Sequence, residues 1–124
     1  MKKQNNAKER LNSLEENIIV LKENLIIVAK RDRKFLIQIE KISKCQADDN
    51  KTVFHFYNGE NIIATKCLKE FELKLINNGF IKINRGTMIP IKLVKFISKN
   101  SVGLTDGSVL KLEEKQKEML MKIL

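Results

Sequence analysis

Hydrophobic positions along this chain change period several times, and each change marks an element. Leu11, Leu14, Ile18, Leu21 and Leu25 recur at spacings of three and four, with Glu15, Glu16, Lys22 and Glu23 on the outer positions. That is the seam of an amphipathic helix over residues 1–25. Two heptads suit equally a terminal helix packed on its own domain and one that dimerises. After Leu25 the period shortens. Ile26–Lys30 and Lys34–Ile39 read as strands about an Arg31-Asp32-Arg33 turn, and Ile42–Ala47 as a third. The polar run Asp48-Asp49-Asn50-Lys51 then turns the chain into Thr52–Tyr57, and Asn58-Gly59, a strong hairpin signal, returns it as Asn61–Thr65.

From Cys67 to Asn78 the pattern is helical again, with Leu68, Phe71 and Leu75 on one face and Asn77-Asn78-Gly79 as the stop. Strands are expected at Phe80–Asn84, Met88–Ile91 and Val94–Ile97, then a hairpin of Ser101–Leu104 and Val109–Leu112 around Asp106-Gly107. A short helix, Glu113–Leu124, closes the chain and buries some of Met119, Leu120, Ile123 and Leu124. The single proline, Pro90, marks its strand as an edge or as irregular. The fold class is therefore mostly β with added helices, an α+β chain of antiparallel hairpins with one mid-chain helix, a short C-terminal helix and an N-terminal helix.

Charge sharpens this picture. Between Glu72 and Asp106 the chain carries Lys74, Lys82, Arg85, Lys92, Lys95 and Lys99 and no carboxylate. The formal net charge is +9; five Lys/Arg against four Glu leave residues 1–25 at +1, so +8 belongs to residues 26–124. A basic face on rigid strands suits a polyanion, nucleic acid first. Lys92, Lys95 and Lys99 are spaced like a solvated face that attracts phosphate. No apolar run approaches the ~18 residues that a membrane span needs. With only Cys45 and Cys67, no CxxC and one histidine, His55, the chain offers no metal set and suits a reducing, cytoplasmic location. No nucleophile–base pair, carboxylate pair or glycine-rich phosphate loop is present. The expectation is a non-enzyme with no cofactor and no small-molecule substrate.

The order of elements, with Leu68-Lys-Glu-Phe-Glu-Leu-Lys-Leu75, Phe80-Ile-Lys-Ile-Asn-Arg-Gly86, Leu93-Val-Lys-Phe-Ile97 and the Asp106-Gly107 hairpin, resembles the LytTR DNA-binding domain of bacterial transcription regulators. The resemblance covers residues 26–124, leaving residues 1–25 as a helix for dimerisation or partner docking. It implies an elongated fold whose loops, in place of a recognition helix, enter successive major grooves. Arg85 falls on the family's central contact, beside Asn84 where the family has His; Lys82 precedes them. The second contact loop, between the third and fourth strands, matches Asp49-Asn50-Lys51, with Lys51 as its foremost contact beside Asn50, and the third matches Lys115. The chain departs from the family at Gly86, Thr87 and Pro90, and Glu113-Glu114 stands where the family has Ser-Arg. Two carboxylates there oppose phosphate unless they turn toward the first turn of the last helix.

The chain is thus expected to be a sequence-specific regulator that binds double-stranded DNA as a homodimer on repeated half-sites. The 25 residues ahead of the domain are too few for a receiver domain, so a stand-alone regulator is expected, with its N-terminal helix available to dock a membrane-bound regulatory protein. The alternative is a protein-interaction or assembly module on the same scaffold, with weak, non-specific DNA binding.

Overall fold

The computed structural model describes residues 22–124. The helix expected over residues 1–25 lies almost wholly outside them. Leu25, placed by its spacing in that helix, instead opens the first strand.

Two units form, each a sheet-based body of its own. The first is a hairpin of β1 (Leu25–Lys30) and β2 (Arg33–Gln38), in register with Ile26 opposite Ile37 and Val28 opposite Phe35. The loop is Arg31-Asp32, with Arg31 in the left-handed region at φ 54°. Period-two alternation sends Ile26, Val28 and Ile37 to a buried face and leaves Ile27 and Leu36 exposed.

The second unit begins at Lys41 and carries eight strands among the described residues. β3 (Ile42–Asp48), β4 (Lys51–Phe56), β5 (Asn61–Ala64), β6 (Phe80–Asn84) and β7 (Thr87–Pro90) form a five-stranded antiparallel sheet in the order β5-β4-β3-β7-β6. β8 (Val94–Ile97), β9 (Ser101–Leu104) and β10 (Val109–Lys111) form a three-stranded sheet with β9 central. Asn58-Gly59 makes its hairpin through a four-residue loop, because the Asn58 side chain accepts the Glu60 N–H at 2.9 Å and Gly59 takes φ 90°. Asp106 does the same for Ser108, accepting both its N–H and its hydroxyl, which holds the Asp106 carboxyl below the usual carboxylate range.

Mid-chain, the expected helix splits into a 3-10 turn, Leu68–Phe71, and one α-helical stretch, α1 (Glu72–Asn77). Its inward residues are those the spacing indicated: Leu68, Phe71 and Leu75 are buried, and the Phe71 ring meets Phe54 of β4 edge-on at 5.1 Å. On the opposite side, Ile83, Ile89, Val102, Leu104, Leu112 and Leu120 form one cluster, joining β6 and β7 to the smaller sheet and to α2 (Glu114–Ile123). Only Leu120 of the last helix is buried; Met119, Ile123 and Leu124 are exposed.

Pro90 does not mark an edge strand. β7 lies between β3 and β6. The proline is tolerated because it is the last residue of β7, beyond the two β3 pairs at Thr87 and Met88, so its missing N–H interrupts no bond to β3.

Candidate nucleic-acid interface

The antiparallel register gathers several turns at one end of the five-stranded sheet. β3 and β4 meet there at Asp48 opposite Lys51 across the Asp49-Asn50 turn, and β6 and β7 meet there at Asn84 opposite Thr87 across Arg85-Gly86. β5 leaves the sheet at the same end, where the buried Thr52 hydroxyl donates to the Lys66 carbonyl at 2.8 Å. Asn50, Lys51, Lys66 and Arg85 are all exposed.

The Arg85 turn is built tightly. The register of β6 shifts between Lys82 and Asn84, which leaves Ile83 as an extra residue turned into the core. Asn84 Oδ1 accepts the Gly86 N–H at 3.1 Å, and the Gly86 carbonyl accepts the Ala47 N–H at 2.8 Å. Asn84 Nδ2 donates to the Lys111 carbonyl at 3.0 Å. The Arg85 N–H donates to Glu113 Oε1 at 2.9 Å. The guanidinium remains uncommitted: it is exposed, and no side chain among the described residues pairs with it.

These bonds tie β10 and the start of α2 to the same edge. Lys111 and Lys115 lie there, both exposed, and the Leu112 N–H donates to the Asn100 carbonyl at 2.9 Å. Lys117 Nζ reaches the Lys99 carbonyl at 3.3 Å, carrying the basic line on to the β8–β9 turn.

Sequence-derived candidates therefore divide. Arg85, Asn50, Lys51 and Lys115 present exposed side chains near this edge. Asn84 is used internally, as the pin of the Arg85 turn. Lys82 forms an ion pair with Glu72 of α1, both side chains about one-quarter exposed, so its charge is met within the fold. Lys92 sits at the far end of the sheet, its ammonium 5.6 Å from the centre of the Tyr57 ring. Lys66 and Lys111 were not singled out by the sequence. Their neighbours at the edge come from distant segments, and no local pattern announces them. Glu113 does not cap its own helix: it occupies the N-cap position with no side-chain bond to that helix, its carboxylate turned instead to Arg85.

The sequence profile of the LytTr DNA-binding domain matches residues 32–124. The chain belongs to the LytTR DNA-binding domain family. A solved LytTr DNA-binding domain from Bacillus cereus superposes with a TM-score of 0.63 at 17% identity, covering 81% of this chain and 95% of that one. At that identity the likeness is one of fold. No curated protein matches the chain in sequence. As a LytTR domain, the chain is mostly β and built from antiparallel sheets, as its periodicity indicated. No helix among the described residues is long and apolar enough to cross a membrane.

Proposed function

We propose that this LytTR chain is a transcription regulator that reads duplex DNA through the turns at the Arg85 end of its five-stranded sheet. The observation that carries this reading is an exposed arginine on a turn whose backbone is held from three sides. An arginine fork matches guanine O6 and N7 in the major groove, and a fixed backbone spares the ordering cost of presenting it. Asn50, on the neighbouring turn, has the amide that pairs with adenine N6 and N7. Lys51, Lys66, Lys111 and Lys115 supply phosphate contacts, which position the protein without reading sequence. Lys115 lies in the first turn of α2, where the helix dipole disfavours a cation, and a phosphate would relieve that opposition. Binding to repeated half-sites as a homodimer, and docking of a partner such as a membrane-bound regulator, complete the proposal.

A second reading has an observation in its favour. Asp48, Asp49, Glu113 and Glu114 place four carboxylates at the same edge, which suits a protein-interaction module better than a phosphate-facing one. Arg85→Ala separates the two. As a DNA reader, the variant loses about 1–3 kcal/mol on its preferred site and discriminates less at one base position. Selection of bound fragments from sheared genomic DNA at physiological salt supplies that site. Recovery of random DNA, with Arg85→Ala binding as tightly as the parent, would favour the interaction module.

A further inference from the structure

We infer that Glu113 is a positioning residue of the DNA-reading turn, an inference that rests on Arg85 as the reader of bases. By charge alone Glu113 is out of place: like Asp48, Asp49 and Glu114, it is a carboxylate at an edge whose exposed arginine and lysines would meet phosphates. As a helix N-cap it is also a poor choice, since Ser, Thr, Asp and Asn have the short side chains that bond back to their own helix. Glu113 makes no such bond. Its longer side chain reaches across 28 residues of sequence to the Arg85 N–H, at 2.9 Å.

The same residue is anchored on its backbone. The Glu113 N–H donates to the Ile83 carbonyl at 3.0 Å, and its carbonyl accepts the Lys117 N–H at 2.9 Å as α2 begins. Glu113 thus grips the Arg85 strand twice, once by backbone at Ile83 and once by side chain at Arg85. Together with Asn84 Oδ1 on the Gly86 N–H, side-chain oxygens take both N–H groups of the Arg85-Gly86 loop. The turn is closed with its guanidinium free. Its geometry is inherited from α2 and the residues leading into it, where Leu120 and Leu112 join the core cluster.

Only an acceptor oxygen is required for this role, and a negative charge is not. Glu113→Gln keeps the amide oxygen in reach of Arg85, whereas Glu113→Ala removes it. On the site selected for the parent protein, Glu113→Ala is expected to lose about tenfold in discrimination over random duplex, the loss of one charge-assisted bond that orders the reader. Glu113→Gln is expected to keep that discrimination and to bind random duplex at least as tightly, having one carboxylate fewer facing phosphate. Hydrogen exchange of the Arg85 amide in the free protein gives a readout independent of DNA: slow in the parent and in Glu113→Gln, faster in Glu113→Ala. If both variants bind more tightly with unchanged discrimination, or the Arg85 amide exchanges alike in all three, Glu113 is only an opposing charge and the inference fails. The reading of Arg85 fails by a different comparison, if Arg85→Ala matches the parent on every duplex; the exchange rates then still decide whether Glu113 holds the turn.

Discussion

Arg85 is proposed as a reader because of its neighbourhood: the N–H groups of Arg85 and Gly86 and the Gly86 carbonyl are all bonded within the fold, while the guanidinium is exposed. Asn84 shows the converse. Its place in the sequence suggests a DNA contact, but its amide is taken by Lys111 on one side and Gly86 on the other. That is legible only in three dimensions, since Lys111 lies 27 residues away. The lone histidine has its partner within the sheet: His55 Nε2 pairs with Gln46 Oε1 at 2.8 Å, and burial together with nearby Lys44 lowers its pKa. The two cysteines, indistinguishable by sequence, differ sharply. Cys45 is fully buried between Phe54 and Met88 on adjacent strands, and desolvation pushes its thiol up to about 12. Cys67 is exposed. Reactivity follows thiolate character and access. A maleimide should therefore modify one thiol per chain in the native protein, at Cys67, and both after denaturation. Two rapid equivalents before denaturation would show that β3 opens readily.

At the scale of elements, Asx-Gly turns and alternating hydrophobicity located nearly every strand of the second unit to within a residue or two. Strand order was not legible, because β3 pairs with β7 across some forty residues and nothing local encodes such a partner. The same gap explains why Pro90 leaves open whether its strand is an edge or irregular: β7 is interior, and it is its pairing with β6 that is irregular. Cross-strand neighbours also explain Gly103, buried at the centre of the smaller sheet opposite Phe96. A Cβ there would overlap the Phe96 ring, which lies flat over the glycine. Gly103→Ala must push that ring aside. Overpacking of this kind costs about 1–3 kcal/mol, and an already half-exposed ring that can swing outward places the change near the lower end. Urea unfolding measures it. In a Phe96→Ala background the same substitution should cost less, the signature of coupled neighbours; an equal cost in both backgrounds would remove the ring as the cause.

For the whole molecule, the distribution of charge and of apolar seams bears on how many copies meet DNA. The Arg85 edge of one copy mixes four carboxylates with its basic side chains, so its attraction for phosphate is partly cancelled. Under the proposed function, two domains joined on repeated half-sites would overcome this through effective concentration without any new contact. The heptad-spaced residues available for such joining are Leu11, Leu14, Ile18 and Leu21, now that Leu25 belongs to β1. A Leu14→Glu/Leu21→Glu variant puts two carboxylates into that seam, which a paired helix cannot bury. Sedimentation velocity should show the parent as a dimer and the variant as a monomer. Affinity for a lone half-site should be unchanged, whereas affinity for a spaced repeat should fall by about ten- to a hundredfold or more, on the order expected when linkage is lost. The slope of log affinity against log salt on the repeat should also roughly halve, because it counts the phosphates neutralised. An unaltered oligomeric state and an unaltered repeat affinity would sink dimerisation through this segment and leave the seam as a docking face for another protein.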